Sequence, residues 1–249
     1  MVFTYELLPW QWTVWICSGL FIGLTKAGFS GLNAVTIPLI AVIFGAREST
    51  GLILIPLCFA DLLAAAYYRN NAEWKYILKL MPWTLLGFAL AIYVDQMISA
   101  QAFRYLMGGS LLAGLLVMFW NEYFGKNKLP PAKLWFAAIF GIAGGFATVV
   151  GNVAGPIMAV FLLSMGLPKK SYAGTAAWFF LIVNYAKLPL QIYVWKNINT
   201  ETFLFGLTLV PAVITGVLLG IYLIKKIPEP VYRKLIMTLT LISTIMLFT

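Results

Sequence analysis

The sequence predicts an all-α, polytopic membrane protein built from two inverted repeats, each holding a broken or re-entrant helix pair plus three spanning helices. Three observations predict it. Hydrophobic residues make up 62% of the 249 and charged ones only 10%, against about 25% charged in an ordinary soluble domain. The apolar residues fall in repeated runs of about 20, the length that crosses a hydrocarbon core of about 30 Å as a helix. Matching residues also recur in the second half at near-constant spacing. The runs are continuous rather than alternating, so backbone polar groups are satisfied within helices and not around a barrel.

Taken in order, the first membrane repeat covers 1–123. It opens with an interrupted region at 10–45, followed by spans at 49–69, 76–97 and 102–123. The N-terminal stretch lacks the basic flank and small-residue cleavage site of a signal peptide, so the first helix is expected to be retained. A polar connector at 124–132 ends in Pro130 and Pro131. The second repeat, 133–249, has an interrupted region at 133–166 and spans at 171–195, 202–224 and 231–248. Each interrupted region is too long for one span and is broken midway, by Lys26, Gly28, Ser30, Gly31 and Asn33 in the first and by Gly144, Gly145, Thr148, Gly151 and Asn152 in the second.

The repeat is visible residue by residue. Pro82, Gly87 and Arg104 recur as Pro211, Gly216 and Arg233 at an offset of 129. Phe21 and Asn33 match Phe140 and Asn152 at 119, and Gly51 and Asp61 match Gly174 and Asn184 at 123. Counting each interrupted region as a pair gathers most basic residues on one side, among them Lys26, Arg69, Lys75, Lys126, Lys170, Lys225 and Arg233. Arg47, Arg104 and Lys196 fall on the other side, and Lys187 lies within a span. The positive-inside rule then puts the connector in the cytoplasm and both termini outside it, in a cell (inner) membrane. Because each half crosses the membrane an odd number of times, the two lie inverted, a common construction for secondary transporters.

Several function classes fall away. Histidine is absent, which removes the commonest general base and metal ligand. No G-x-S-x-G and no G-x-x-x-x-G-K-[ST] occurs, so neither an enzyme nor an ATP-driven pump is expected. Cys17 and Cys58 sit alone in apolar segments and suggest neither a disulfide framework nor a metal site. No cofactor is expected. The net charge of +9 is spread over loops rather than gathered in a patch, which argues against a nucleic-acid partner.

Matched breaks in two related halves point to a substrate site. A helix that starts within the membrane offers unpaired N–H groups and the positive end of its dipole to an anion. Ser30, Gly31 and Asn33 precede the apolar run 34–44, and Thr148, Gly151 and Asn152 precede 153–165, where their side chains are placed to cap the new helix. The plainer reading of the same residues is tight helix packing and capping alone. Lys26 beside the first break and Lys187 near Asn184 are candidates to add positive charge, or, for Lys26, to snorkel to the surface. Pro189 is placed to loosen the helix just after Lys187. Asp61 is the carboxylate nearest the middle of an apolar span, a candidate proton carrier or a structural partner for Lys187. Trp178, well inside a span, is a candidate to line the path, whereas Trp10, Trp12, Trp15, Trp74, Trp83 and Trp135 lie near span ends as interfacial anchors.

The stretches Gly23-Leu24-Thr25-Lys26-Ala27-Gly28-Phe29-Ser30-Gly31 and Gly151-Asn152-Val153-Ala154-Gly155-Pro156 resemble the TauE/SafE family of sulfite and organosulfonate exporters. So does Gly174-Thr175-Ala176-Ala177-Trp178-Phe179-Phe180, continuing through Asn184 and Lys187 to Pro189. The resemblance covers nearly the whole chain. It implies passage of a small anion, sulfite or a small organosulfonate, driven by a proton or ion gradient. An anion channel and a small-carboxylate transporter are the alternatives.

Overall fold

A computed structural model describes residues 5–30, 32–94 and 134–248. The span expected at 102–123 and the connector at 124–132 lie outside the described residues. Among those described, the regular elements are all helical: α1 (Pro9–Lys26), α2 (Asn33–Phe44), α3 (Ala46–Tyr67), α4 (Trp74–Val94), α5 (Leu134–Gly151), α6 (Ala154–Ser164), α7 (Lys169–Pro189), α8 (Thr200–Leu207), α9 (Val210–Lys226) and α10 (Glu229–Phe248).

Both interrupted regions are helix pairs, as their composition predicts. The first pair has helices of 18 and 12 residues and the second of 18 and 11. At about 1.5 Å per residue, α2 and α6 are roughly 18 and 16 Å long, well short of a hydrocarbon core of about 30 Å. The segments Glu48–Tyr67, Trp74–Tyr93, Leu134–Gly151 and Lys169–Val194 are each long and apolar enough to cross. Leu78, Leu85 and Leu218 are exposed on the outside of the bundle, where lipid is their natural solvent.

Two spans depart from straight helix. The helix of α7 continues as a π-helical turn, Leu190–Val194, that begins at the residue after Pro189; a proline cannot donate to the ladder, and the wider turn absorbs the loss. The segment expected as a span at 202–224 is two helices, α8 and α9, apolar and long enough together to cross but bent by 45° at their junction. Pro211 is the physical reason, since it stands in the first turn of α9, where its missing N–H costs nothing. Thr208 fills the corner, donating to the Phe205 carbonyl at 2.6 Å and accepting from Trp15 Nε1 at 2.9 Å.

Helices that are distant in sequence pack through glycine. On the α1–α9 contact, a Cβ on Gly216 would stand 2.2 Å from the Leu20 carbonyl oxygen. On the α4–α5 contact, a Cβ on Gly145 would stand 2.2 Å from that of Thr84, and one on Gly87 would stand 2.3 Å from that of Ile142. Backbones this close are the usual means by which membrane helices associate. Between them α3 and α7 run antiparallel. Gly51 at the start of α3 packs on Asn197 beyond α7, and Gly174 near the start of α7 packs on Asn71 beyond α3. Midway, Asn184 Nδ2 donates to Asp61 Oδ2 at 2.6 Å. Of the two residue pairs that match at an offset of 123 in the sequence, Asp61 and Asn184 thus meet directly, while Gly51 and Gly174 stand at opposite ends of the same helix contact.

Replacing Gly145 or Gly216 with alanine is expected to overpack its contact and destabilise the protein by about 1–3 kcal/mol. Gly144→Ala should be neutral by comparison, because the nearest atom to its Cβ is the Ile157 side chain at 3.8 Å. Thermal unfolding in detergent checks this ranking, and equal melting temperatures for Gly144→Ala and Gly145→Ala would contradict it.

Candidate functional site

The first break is built by Gly28. With φ at 129° it adopts a backbone that other residues avoid, and it closes α1 with bonds from Gly28 N to Thr25 O and from Phe29 N to Leu24 O. Two carbonyls left over at this end are met by tyrosines: Tyr68 donates to Ala27 O at 3.1 Å and Tyr232 to Gly28 O at 2.7 Å. The break is therefore fixed from α3 and α10 together.

Asn152 builds the second break, with φ at 56°, a left-handed conformation that asparagine tolerates better than most residues. The capping role expected of the break residues is not observed. The residues before α2 and α6 are Leu32 and Val153, and neither supplies a side-chain cap. Asn152 is turned instead toward the interior, where its Nδ2 donates to Thr50 O at 3.1 Å and its Oδ1 accepts from Lys187 Nζ. A buried ammonium competes successfully with the exposed end of a helix for that side chain, because a hydrogen bond to a charged group is worth about 1.5–3 kcal/mol.

Lys187 is fully buried. Its ammonium also donates to Thr148 O at 2.9 Å and to Thr148 Oγ1 at 3.0 Å, so each of its three protons meets a neutral oxygen at the C-terminal end of α5. That end carries the negative pole of the helix dipole.

The structural pairing of Asp61 with Lys187 considered from the sequence is not formed. Asp61 Oδ1 takes Lys26 Nζ at 2.8 Å, while its Oδ2 takes Asn184. Lys26 is buried and does not snorkel; its ammonium also lies 4.1 Å from the centre of the Phe180 ring. It therefore does not belong with the surface lysines from which an orientation is expected. Position within an apolar span is the only ground for pairing Asp61 with Lys187, and the partner of Asp61 comes instead from the end of α1.

A cavity opens where the two breaks meet. Thr25, Lys26, Ser30, Thr148, Asn152, Gly155 and Asn184 supply polar atoms or backbone to its wall, and Leu57, Ala176, Ala177 and Phe180 supply the apolar part. Five expected site residues thus share one wall: Lys26, Ser30, Thr148, Asn152 and Asn184. Lys187 and Asp61 stand immediately behind it, bonded to members of the wall. Gly151 ends α5 next to Val153, and Trp178 packs on Trp74 with ring centres 5.2 Å apart rather than lining the cavity. Asn33 begins α2, and Gly31 lies outside the described residues.

Sequence reading missed the extension of this network. Gln191 Nε2 donates to Thr50 Oγ1 at 3.2 Å, and Asn197 Nδ2 donates to Gln191 Oε1 at 2.9 Å. The signal was present in the spacing 184, 187, 191, which puts three polar residues on one face of an otherwise apolar helix.

These features define a multi-pass helical membrane protein with a charged cavity at the meeting point of two broken helices. The chain belongs to the sulfite exporter TauE/SafE family, whose match covers residues 15–247. It is a family of membrane transporters, in agreement with the resemblance read from the break motifs. No curated protein and no solved structure gives a significant match to the chain.

Removing one partner of a buried ion pair strands the other, at a cost of about 3–5 kcal/mol. Lys26→Met and Asp61→Asn are accordingly each expected to lower thermal stability, with the double variant regaining much of the loss. Combining Asp61→Asn with Lys187→Gln should give no such recovery. A double-mutant cycle on purified protein measures both couplings, and a larger coupling for Asp61 with Lys187 than with Lys26 would contradict the arrangement.

Proposed function

We propose that the protein is a secondary transporter that carries a small anion, sulfite or a small organosulfonate, through the cavity between the two breaks by alternating access. One observation carries the reading. Among the described residues the buried acidic and basic side chains are Lys26, Asp61 and Lys187, two cations against one anion, leaving a net positive charge beside a polar cavity. That positive potential is complementary to a small anion. Gly155, in the first turn of α6, adds the positive end of a helix dipole to the same wall.

Two inverted repeats, 1–123 and 133–249, joined by a cytoplasmic connector at 124–132, account for the antiparallel crossing of α3 and α7 and for the matched helix lengths. The meeting of the equivalent residues Asp61 and Asn184 supports a two-fold relation at the centre of the molecule. Rocking of one part against the other around that centre would expose the cavity alternately to each side, with a proton or another ion moving alongside the anion. Both termini then face away from the cytoplasm, and a C-terminal reporter fusion is expected to be active only in the extracytoplasmic compartment. Cytoplasmic activity of that fusion would overturn the orientation.

Transport is tested in proteoliposomes offered sulfite, methanesulfonate, sulfoacetate and small carboxylates. Saturable uptake of sulfite or a sulfonate is expected, and non-saturating flux would favour a channel. Asn152→Gly keeps the left-handed backbone while deleting the side chain that holds Lys187. It is expected to reduce uptake about 10-fold or more, the equivalent of one hydrogen bond to a charged group. Unchanged uptake in that variant would remove the second break from the site.

A further inference from the structure

Lys26 holds two positions at once. It lines the cavity, and its ammonium is bound to the fully buried Asp61 at 2.8 Å. Lys187, by contrast, has all three protons committed to Thr148 and Asn152. Of the two lysines, Lys26 is therefore the one placed to touch an anion in the cavity, and a carboxylate already occupies it.

We propose that Asp61 and the transported anion alternate as the partner of Lys26, so that one proton binds to Asp61 for each anion taken up. This rests on the anion-transport reading above and specifies how the anion is coupled to a gradient. With Asp61 ionised, the carboxylate satisfies Lys26 and repels a second anion a few ångströms away. When a proton arrives on the carboxylate, the ion pair breaks and the neutral acid keeps its bond from Asn184, while the ammonium turns its charge to the anion. Release on the far side reverses both steps. The proton returns to water, the anion departs, and Asp61 recaptures Lys26. Lys26 has a counter-ion in both states, the condition that a low-dielectric interior imposes on a charge with no cage of neutral oxygens.

The surroundings of Asp61 leave it free to act this way. The titratable groups whose charge reaches it are Lys26 from α1, Lys187 and Tyr185 from α7, and Cys58 one turn earlier on α3. The other packed elements add none at that depth. Helices α2 and α5 carry no titratable side chain, α8 meets α3 at Ile55, and Lys225 of α9 lies over Tyr67 at the far end of α3.

Methanesulfonate is the probe, because its own charge does not change across the pH range used, whereas sulfite titrates near neutrality. Binding to the wild-type protein is measured from pH 5 to 9, and proton uptake is followed by a luminal pH dye in proteoliposomes during methanesulfonate influx. Affinity is expected to fall about tenfold per pH unit above the titration of Asp61, the slope for one linked proton, and the lumen should acidify by one proton per anion. Asp61→Asn, permanently neutral, should bind with an affinity independent of pH and carry no protons. Saturable wild-type transport with a flat pH profile and no proton movement would overturn the coupling while leaving the transport reading intact. Absence of methanesulfonate binding at every pH would overturn the coupling, and absence of saturable sulfite uptake as well would overturn the transport reading. The wild-type arm decides the matter even if Asp61→Asn does not fold.

Discussion

An ammonium ion in a membrane interior has to find oxygen atoms or a counter-charge, because no water is at hand to solvate it. Much of the central architecture can be read as the answer to that constraint for two lysines. Lys187 is met by neutral oxygens, and those oxygens are available because α5 stops at Gly151 and Asn152 turns left-handed. Lys26 is met by a carboxylate, and that carboxylate is reached because α1 stops at Lys26 itself. A continuous helix at either place would have its carbonyls paired within the ladder. The breaks are thus electrostatic devices as much as topological ones.

The two solutions differ in a way that bears on function. A cage of neutral dipoles can hold Lys187 without cancelling its charge, so the site keeps a fixed positive potential. The Asp61 carboxylate cancels the charge of Lys26 and makes that charge conditional on what else is present. A fixed charge attracts, and a conditional one can be switched. Their separation by only the width of the cavity wall makes the pair a compact arrangement for capturing an anion and letting it go.

Much of the fold was legible in the sequence because its cause is local. Apolar runs of spanning length, the positions of both breaks and the loosening after Pro189 follow from hydropathy, glycine and proline. The bend before Pro211 was not anticipated, since a proline in the first turn of a helix and one in mid-span look alike until the corner contacts of Trp15 and Thr208 are known. At the site, the residue types were legible but their partners were not. Asp61 and Lys187 invite pairing as the two buried charges on long apolar helices, yet the antiparallel crossing of α3 and α7 sets Asp61 against Asn184 and leaves Lys26 to complete it. Thr50 and Gln191 went unnoticed because a single threonine or glutamine in a membrane helix is unremarkable until three polar residues are seen to share one face.

On the reading proposed above, an anion binds between the two breaks, within reach of Lys26 and the wall formed by Thr148 and Asn152. Selenite has the shape and charge of sulfite with a heavier central atom, so anomalous diffraction from crystals grown with it locates the ion directly. One selenium peak is expected in the cavity, with selenite oxygens within hydrogen-bonding reach of Lys26. A well-diffracting crystal with that cavity empty of selenium, or with selenium bound only elsewhere on the protein, would contradict it.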